Sequence, residues 1–282
     1  MPHNYLSIYA KSFNWAGFFL PKGTYKNCSL LYDFCRTVDN IVDDEEKLDI
    51  KKKNLLIFKK NFFNKNFSSS KIKNMWKLID EFSISIKIID DLFDGIETDL
   101  GEKVLLSNEK DLLIYSYRVA GTVGLMMAKI LRVKSDLALA SAIDLGIAMQ
   151  LTNIARDVIE DENRNRRYID NDFNKIKETI KLADTFYNSS FRSIGEIPIS
   201  CRFAILVARR VYRQIGNEII KKRDFEDYKK SGKIFVTNFG KVKQTFLSIY
   251  DFILLIFLKP NKHNLDFHHI KLRREINLDD RL

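Results

Sequence analysis

Proline and glycine are scarce in this chain, whose 282 residues include only four prolines and eleven glycines. Both residues interrupt helices and form most tight turns, so their scarcity disfavours a fold of many short strands. No alternation of apolar and polar residues persists, whereas apolar residues recur at helical spacing. With 45% hydrophobic residues, the chain can bury a sizeable core. The sequence therefore predicts a single all-α domain over residues 1–282, with residues 260–282 as a polar C-terminal tail.

Helix boundaries follow from the periodicity and from the residues that interrupt it. Pro21 and Gly23 separate the first two predicted helices, and the serines at 68–70 separate the next two. Gly95 and Gly101 indicate a loop, and no linker, repeat or low-complexity tract divides the chain. The predicted helices cover residues 3–18, 23–43, 47–64, 71–90, 109–131, 135–160, 174–193, 198–222 and 232–257.

Long apolar runs, targeting signals and paired cysteines are also missing. The longest apolar stretch, Phe246 to Leu258, spans thirteen residues and contains Asp251, so it is too short to cross a bilayer. It is expected to be either a core helix or an interfacial helix that grips the membrane. The N-terminal sequence MPHNYLSIYAKSF shows no basic region followed by an apolar run, so no signal peptide is expected. Three cysteines without metal-ligand spacing indicate reduced thiols in a cytosolic protein.

The net charge is +10, but the 47 basic residues are spread along the chain and mixed with 37 acidic ones. A nucleic-acid-binding motif is absent from the sequence, so no nucleic-acid partner is expected. The surplus of positive charge suits an anionic substrate or an anionic membrane surface.

Two acidic clusters are the most informative motifs present. Asp39 and Asp43 stand in CRTVDNIVDD, and Asp157 and Asp161 stand in NIARDVIED. Because a spacing of four residues returns a side chain to the same face of a helix, each cluster aims two carboxylates in one direction. Carboxylate oxygens suit hard cations such as Mg²⁺. If the two faces meet across a cavity, they form an acidic metal site.

An ordinary solvated helix face is the alternative explanation for either cluster alone. The largely apolar residues around both clusters argue against it, because buried carboxylates are almost never left unpaired. Basic and amide neighbours accompany the clusters, namely Arg36, Asn153 and Arg156. Carboxylates alone would bind only a metal, whereas cationic neighbours make a metal-bound diphosphate the natural ligand.

Three further segments each have two interpretations. The small residues of AGTVG (120–124) allow close approach of either another helix or a slender apolar ligand. The aromatic segment AKSFNWAGFFLP is typical of a core, although aromatic faces also stabilise carbocations. Asp90, Asp91 and Asp94 match the DDxxD pattern of chain-elongating prenyl synthases. Because Gly95 follows at once and only one such copy exists, an acidic cap at a helix end is predicted.

The chain resembles the squalene/phytoene synthase family, and among its branches it looks most like bacterial phytoene synthases. The resemblance covers about residues 12–241 and is carried by five segments in the right order: KSFNWAGFFLP, LYDFCRTVDNIVDD, DGIETDL, YSYRVAGTVGLM and AIDLGIAMQLTNIARDVIEDENRNRRYI. It implies a single isoprenoid-synthase helical bundle with a central cavity, in which the acidic clusters face each other across the mouth. Two departures are Asp170, where the family usually has proline, and Ala10, where it often has serine.

The resemblance also implies roles for individual residues. The implied metal ligands are Asp39, Asp43, Asn153, Asp157, Glu160 and Asp161, the four aspartates being the catalytic residues. The implied substrate-binding residues are Ser12, Phe13, Gly17, Tyr32, Arg36, Tyr117, Val119, Ala120, Val123, Gln150, Asn153, Arg156 and Tyr168. Among them, Tyr117, Val119, Ala120 and Val123 are expected to line an apolar tunnel.

The implied reaction is the head-to-head condensation of two geranylgeranyl diphosphates to phytoene in carotenoid biosynthesis. It passes through a cyclopropyl (prephytoene) diphosphate and releases diphosphate. The implied cofactor is Mg²⁺, with Mn²⁺ as a substitute, and no NADPH is expected because no GxGxxG fingerprint follows a strand. Small residues at Gly17 and Ser29 favour C20 substrates, so Gly17→Phe is predicted to shift preference towards farnesyl diphosphate. The insoluble product implies a cytoplasmic enzyme attached peripherally to the membrane.

Two alternatives stay open at this point. One is a C15-using member of the family that makes presqualene diphosphate, dehydrosqualene or squalene from farnesyl diphosphate. The other is a non-catalytic member that acts as an assembly or scaffold protein, although all four aspartates are present. Neither the oligomeric state nor the proton-abstracting base follows from the sequence.

Overall fold

The computed structural model describes residues 11–44, 46–106, 108–258 and 266–282, and for residues 11–13 it describes the backbone alone. Nearly all regular structure in these residues is helical, as the scarcity of proline and glycine predicts. The α-helices are α1 (Lys11–Gly17), α2 (Lys22–Asp43), α3 (Leu48–Phe63), α4 (Ser70–Phe82), α5 (Ile86–Thr98), α6 (Glu109–Ser116), α7 (Thr122–Ile130), α8 (Asp136–Asn163), α9 (Phe173–Phe191), α10 (Ile199–Ile220), α11 (Phe225–Lys230), α12 (Asn238–Phe257) and α13 (Phe267–Glu275).

Most helix boundaries lie within a few residues of those predicted. One exception is the predicted helix 71–90, which the structure divides between α4 and α5. Ser83 ends α4 because it adopts left-handed backbone angles, with φ 50° and ψ 46°. Ser85 then enters α5 from an extended conformation. A serine is a weaker stop signal in sequence than a glycine or a proline, which explains the missed break.

Helix α5 extends further than predicted and passes through Gly95. Packing explains this glycine, because a Cβ built on it would lie 2.7 Å from the Cβ of Arg118 and 2.9 Å from Cγ1 of Val119. Gly95 therefore allows a close helix contact and does not end a helix.

The DDxxD segment consequently lies inside α5 and is not an acidic cap at its end, which corrects the prediction. Asp90 and Asp94 approach Nζ of Lys59 at 3.5 and 3.6 Å. Asp91 is only 7% exposed and accepts a hydrogen bond from the hydroxyl of Tyr117. These three carboxylates have structural partners on neighbouring helices.

The predicted helix 109–131 contains one wide turn, the π turn Tyr117–Gly121, between α6 and α7. Such turns add one residue to a helical turn and often occur at functional sites. Close packing fixes the π turn against α8, since a Cβ on Gly146 would collide with the carbonyl oxygen of Ala120. A Cβ on Gly124 would collide in the same way with the carbonyl oxygen of Ala142. Helix packing therefore accounts for part of the small-residue segment AGTVG.

Helix α8 is the central helix of the bundle. It packs against α7, α9, α10 and the π turn. By length and composition it is the one described helix that could cross a membrane, yet 72% of its most apolar window is buried inside the protein. A core helix passes the same test, and the position of α8 is that of a core helix.

Two short strands, β1 (Val104–Leu105) and β2 (Arg166–Arg167), form a parallel pair. The backbone N–H of Val104 donates to the carbonyl of Asn165 at 3.0 Å, beside this pair. Because β2 follows α8 directly, the pair fixes the arginine-rich loop beyond the second acidic cluster against the loop beyond α5.

Residues 266–282, predicted as part of a polar tail, form α13 and a 3-10 turn at Leu278–Asp280. Leu272, Ile276 and Leu278 are buried beneath them. Three apolar residues form only a narrow stripe on a charged segment, so composition alone classes the segment as polar. Residues 260–265 of the predicted tail lie outside the described residues.

Candidate active site

A cavity of about 270 Å³ runs beside α8. Its wall residues on α8 extend from Ala138 to Asn153, which is about 22 Å of helix at about 1.5 Å per residue. The rest of the wall is mostly apolar and includes Ala16, Leu20, Cys28, Cys35, Leu92, Val119, Val123, Met127, Leu131, Ile194, Ile197 and Ile205. The cavity is therefore a long apolar tunnel inside the helical bundle.

Polar side chains are gathered at the Asn153 end of the tunnel, where Asp39 and Gln150 also line it. The Ala138 end carries only hydroxyl groups, and those of Ser141 and Ser193 bond to each other at 2.8 Å. The tunnel thus has one ionic end and one end suited to hydrocarbon.

The two acidic clusters meet at the ionic end. Burial raises the pKa of Asp39 to about 7, and the nearby charges of Asp43 and Asp99 add to this rise. Burial likewise raises the pKa of Asp161 to about 7, and the charges of Asp157 and Asp99 add to it. Because the charge of Asp99 acts on both clusters, Asp99 lies close to both of them. A bound cation would relieve the repulsion among these five carboxylates.

Arg166 supplies positive charge to this group of carboxylates. Its Nη1 donates to Oδ1 of Asp43 at 2.8 Å, and only 11% of its side chain is exposed. Its charge opposes the rise in the pKa of Asp39 and of Asp161. The β1–β2 pair holds Arg166 in this place, since Arg166 is itself paired with Val104.

The second cluster carries its own arginine. Arg156 donates from Nε and Nη2 to both carboxylate oxygens of Asp157, at 2.7 and 2.5 Å, and both side chains are at most 15% exposed. Asp157 leaves helical geometry, with φ −104° and ψ 15°, so α8 bends there. The hydroxyl of Tyr228 donates to the carbonyl of Arg156 at 2.7 Å, beside the bend. The bend therefore has a specific side-chain partner.

Asp99 has two tyrosine partners. The hydroxyls of Tyr115 and Tyr168 donate to its two oxygens at 2.9 and 2.6 Å, and the two rings stack with centroids 4.7 Å apart. Burial raises the pKa of Asp99, and these hydrogen bonds and the charge of Arg166 oppose the rise. Sequence reasoning did not select Asp99, Tyr115 or Arg166, although each lies in a segment that carries the family resemblance.

Apart from Tyr117, the residues predicted to bind substrate fall into three groups. Those that line the tunnel are Gly17, Tyr32, Val119, Ala120, Val123, Gln150 and Asn153. Those at the ionic end but outside the tunnel wall are Arg36, whose charge acts on Asp39, and Arg156 with Tyr168. The side chains of Ser12 and Phe13 lie outside the described residues.

Tyr117 differs from the prediction, because it is fully buried and does not line the tunnel. Its hydroxyl donates to Asp91 at 2.7 Å, whereas Val119 and Ala120 of the same π turn line the tunnel. Glu160, a predicted metal ligand, points to the surface and accepts from Nζ of Lys233 at 2.6 Å.

Gly17 was predicted to leave space in the tunnel, and in the structure it also allows close packing of Tyr25. A Cβ built on Gly17 would lie 2.6 Å from Cε2 of Tyr25, whose ring also lines the tunnel. A phenylalanine there would have to displace Tyr25 before it narrowed the tunnel. Ser29 is buried, donates to the carbonyl of Tyr25 at 2.9 Å and does not line the tunnel.

The donor set at the ionic end fits a divalent cation. No group of three or more His, Cys, Asp or Glu is arranged to hold a metal ion within the described residues, and Asp43 and Asp157 are instead paired with Arg166 and Arg156. Oδ1 of Asn153 is buried and has no hydrogen-bond partner in the described part of the chain. Carboxylate and amide oxygens are the ligands that hard cations prefer. A cation here would relieve the repulsion between carboxylates and engage the buried amide oxygen.

A model of the squalene/phytoene synthase family matches residues 7–176 of the chain. The chain belongs to the squalene/phytoene synthase family. Its acidic clusters and most of its tunnel wall lie within the matched residues.

Individual members of the squalene/phytoene synthase family show the same relationship. The chain is 28% identical over 243 residues to a phytoene synthase of Pseudescherichia vulneris, covering 74% of this chain and 78% of that protein. It is 28% identical over 247 residues to a 15-cis-phytoene synthase of Pantoea ananas, covering 76% and 80%. A crystal structure of a dehydrosqualene synthase with a bound ligand superposes with a TM-score of 0.70 at 25% identity, covering 87% of this chain and 93% of that one.

Proposed function

We propose that this protein is a prenyltransferase that condenses two geranylgeranyl diphosphates head to head to phytoene, by way of prephytoene diphosphate, in carotenoid biosynthesis. The observation that carries the proposal is the placement of two acidic clusters at one end of a long apolar tunnel. Family relatives named phytoene synthase, at 28% identity over most of the chain, support the reaction class.

The ionic end supplies the groups that diphosphate departure requires. Mg²⁺ held by Asp39, Asp43, Asp157, Asp161 and Asn153 would act as a Lewis acid on the leaving diphosphate. Arg36, Arg156 and Arg166 lie beside these carboxylates, and guanidinium groups bind diphosphate oxygens in a bidentate manner. Arginines and metal ligands together bind the head of the substrate.

The apolar tunnel supplies the second requirement, which is the exclusion of water from the carbocations that follow ionisation. In the reaction, the allylic carbon–oxygen bond of one substrate breaks, and the double bond of the second substrate attacks that carbon. Proton loss closes the cyclopropane, and a second ionisation, rearrangement and proton loss give the hydrocarbon. The hydroxyls of Tyr32 and Tyr115 lie near the ionic end, but burial raises the pKa of both, so neither is an anionic base.

Tunnel length favours C20 over C15 substrates. An extended isoprene unit adds about 5 Å, since its four carbon–carbon bonds of about 1.5 Å each advance only about 1.25 Å along the zigzag chain. Four units therefore span about 20 Å, close to the roughly 22 Å of α8 between Asn153 and Ala138, whereas three units span about 15 Å. The small side chains of Ala138, Ser141 and Ala142 leave space for the fourth unit.

The function is tested by incubating the purified protein and Mg²⁺ with labelled geranylgeranyl or farnesyl diphosphate, with and without NADPH. We expect a C40 hydrocarbon from the C20 substrate, no change on adding NADPH, and a kcat/KM for the C15 substrate lower by about tenfold or more. A C30 product as the main product would establish the C15 alternative, which the ligand-bound dehydrosqualene synthase structure also favours as second candidate. No turnover of either substrate would favour the alternative of a non-catalytic scaffold protein.

The variant Ala138→Phe tests which end of the tunnel receives the prenyl tail. It places a ring at the apolar end and leaves the ionic end unchanged. This variant is expected to lose the C20 substrate while keeping the C15 substrate. Equal effects on both substrates would contradict the assignment of the Ala138 end to the fourth isoprene unit.

We further propose that the enzyme acts at the cytoplasmic surface of an anionic membrane and that α12 is its contact. The polarity of this helix is the reverse of that of an ordinary surface helix. Its polar residues Gln244, Ser248 and Asp251 are buried, while its outer face is apolar. Its exposed residues include Phe239, Phe246, Ile249, Tyr250, Ile253, Ile256 and Phe257. Asp251, the one acidic residue of α12, is buried against Arg210, and Lys243 is exposed. An apolar face with basic and without exposed acidic residues suits an anionic bilayer.

Flotation with vesicles of phosphatidylglycerol and phosphatidylcholine tests this contact. Phe246→Ser/Phe257→Ser should weaken vesicle binding by about a hundredfold, since each buried phenylalanine contributes at least about 1.5 kcal/mol. Phe67→Ser is the control, because Phe67 is 49% exposed but lies outside α12. Failure of the wild type to float, or a stable dimer through α12, would contradict the membrane assignment.

A further inference from the structure

The C-terminal residues and the tunnel wall share one buried carboxylate. Asp91 of α5 accepts hydrogen bonds from Nε and Nη2 of Arg281, both at 2.9 Å. It also accepts the hydroxyl of Tyr117 at 2.7 Å. These contacts are buried from solvent on the side of the bundle, since Asp91 is 7% exposed and Tyr117 is fully buried. Asp91 therefore links the last residues of the chain to the start of the π turn.

The π turn has little freedom to move independently of Tyr117. It lies between α5 and α8, where Gly95 and Gly146 leave no space for even a Cβ. Its residues Val119 and Ala120, which follow Tyr117 directly in the same turn, line the tunnel. A displacement of Tyr117 would therefore be transmitted to the tunnel wall.

Residues 266–282 are anchored on the helices that surround the π turn. The polar anchors are those of His269 with Asp144 on α8, Lys271 with Glu109 on α6, and the carbonyl of Leu282 with Lys129 on α7. Together with the contact between Arg281 and α5, these anchors connect four helices of the bundle. The mechanism proposed above uses none of these groups.

We propose that residues 266–282 form a clasp that fixes the tunnel wall, and that Arg281 is a positioning residue for the prenyl chain, acting through Asp91 and Tyr117. The inference rests on the proposed function, because it assigns a prenyl chain to the tunnel. Gly146, which faces Ala120, lies about 10 Å along α8 from Asn153 at about 1.5 Å per residue. The clasp therefore acts on the second or third isoprene unit and not on the diphosphate.

Because the clasp acts on the prenyl tail, kinetic and binding measurements can distinguish a positioning role from a purely structural role. Loss of general stability reduces the amount of active enzyme, which lowers kcat and leaves KM unchanged. Loss of wall contacts weakens binding of the tail, which raises KM for prenyl diphosphates and leaves binding of the head unchanged. Inorganic diphosphate reports on the head alone, and an unreactive prenyl analogue reports on head and tail together.

The test uses the full chain and the double variant Arg281→Met/Asp91→Leu, which removes the contact without leaving a buried charge unpaired. Tyr117→Phe is a milder variant that breaks only the hydroxyl contact. The control is Lys87→Met. Lys87 of α5 forms an exposed ion pair with Asp280, which belongs to the clasp. Calorimetry with Mg²⁺ measures binding of geranylgeranyl thiolodiphosphate and of inorganic diphosphate to each protein.

We expect the double variant to bind the prenyl analogue about tenfold more weakly, the effect of losing about one methylene contact, while diphosphate binding changes less than about twofold. KM should rise with kcat retained, Tyr117→Phe should show a smaller change in the same direction, and Lys87→Met should match the wild type. Equal weakening of both ligands, or a lower kcat at unchanged KM, would overturn the proposal.

Amide hydrogen exchange keeps this inference separate from the proposed function. If the wild type binds no prenyl analogue, the proposed function fails, and exchange over residues 117–124 then decides whether the clasp exists. Faster exchange there in the double variant, but not in Lys87→Met, supports a clasp on the π turn. Unchanged exchange in the double variant overturns it.

Discussion

Asp157→Ala or Asp39→Ala is expected to abolish turnover, a fall of about a thousandfold or more, while the helical fold stays intact. Both residues belong to the group of carboxylates at the ionic end of the tunnel. Removing either one takes away a metal ligand and an electrostatic contribution to the departure of diphosphate. Asp39 lines only the ionic end of the tunnel, and the apolar wall beyond it is formed by other residues, so binding of the prenyl tail should persist.

Stability should respond differently to the two substitutions. Because burial and neighbouring charges raise the pKa of Asp39 to about 7, the folded protein disfavours its charged form, and Asp39→Ala should leave the melting temperature unchanged or higher at pH 8. Asp157→Ala leaves Arg156 without its bidentate partner, so a modest loss of stability is expected.

Release of labelled diphosphate in a single turnover measures the chemical step, and circular dichroism checks the fold. The control is Asp90→Asn, because Asp90 belongs to the DDxxD segment but is half exposed and near Lys59 on the outside of α5. That variant should turn over at the wild-type rate. Retained activity in Asp39→Ala or in Asp157→Ala would refute the metal-site assignment.

The part of the site that sequence reasoning predicted is the part encoded in helical spacing. Asp39 with Asp43 and Asp157 with Asp161 are separated by one helical turn, so their shared direction follows from local geometry alone. Asp99, which follows α5, and Tyr115 of α6 reach the same place through a contact that no local pattern encodes. Their segments resemble the family, but resemblance did not say which side chain points inward.

Errors in the fold prediction have a related cause. Gly95 was assigned as a helix stop from its own segment, and Tyr117 was assigned as a tunnel residue from the family resemblance. In the structure, Gly95 allows close packing with the π turn, and Tyr117 turns towards Asp91. The partner of Asp91 is Arg281, 190 residues further along the chain. A contact of that separation is decided by tertiary packing and leaves little trace in periodicity.

His269→Ala is expected to lower the free energy of unfolding by about 3–5 kcal/mol. His269 is 4% exposed, and its Nε2 lies 3.0 Å from both carboxylate oxygens of Asp144, which is 2% exposed. Its Nδ1 lies 2.8 Å from Asp266, so the ring bridges two carboxylates. Removal of the ring takes the imidazolium away from the buried carboxylate of Asp144, which keeps the hydroxyl of Ser189 among its partners. Urea unfolding measures the loss, and neighbouring His268→Ala, at a site that is 26% exposed, should cost less than about 1 kcal/mol.

The pH dependence of stability separates this ion pair from simple loss of packing. Burial lowers the pKa of His269, but the hydrogen bonds and charges of Asp144 and Asp266 outweigh burial and raise it above its usual 6.5. A raised pKa in the folded state means that the contribution is complete below pH 6.5 and is lost as the pH rises through the folded value. The free energy of unfolding of the wild type should therefore fall above pH 6.5, and His269→Gln should show a smaller decline there, due to other groups such as Asp39 and Asp161, whose pKa values burial raises to about 7. Parallel profiles for the two proteins would show that His269 is neutral when folded and stabilises α13 by packing alone.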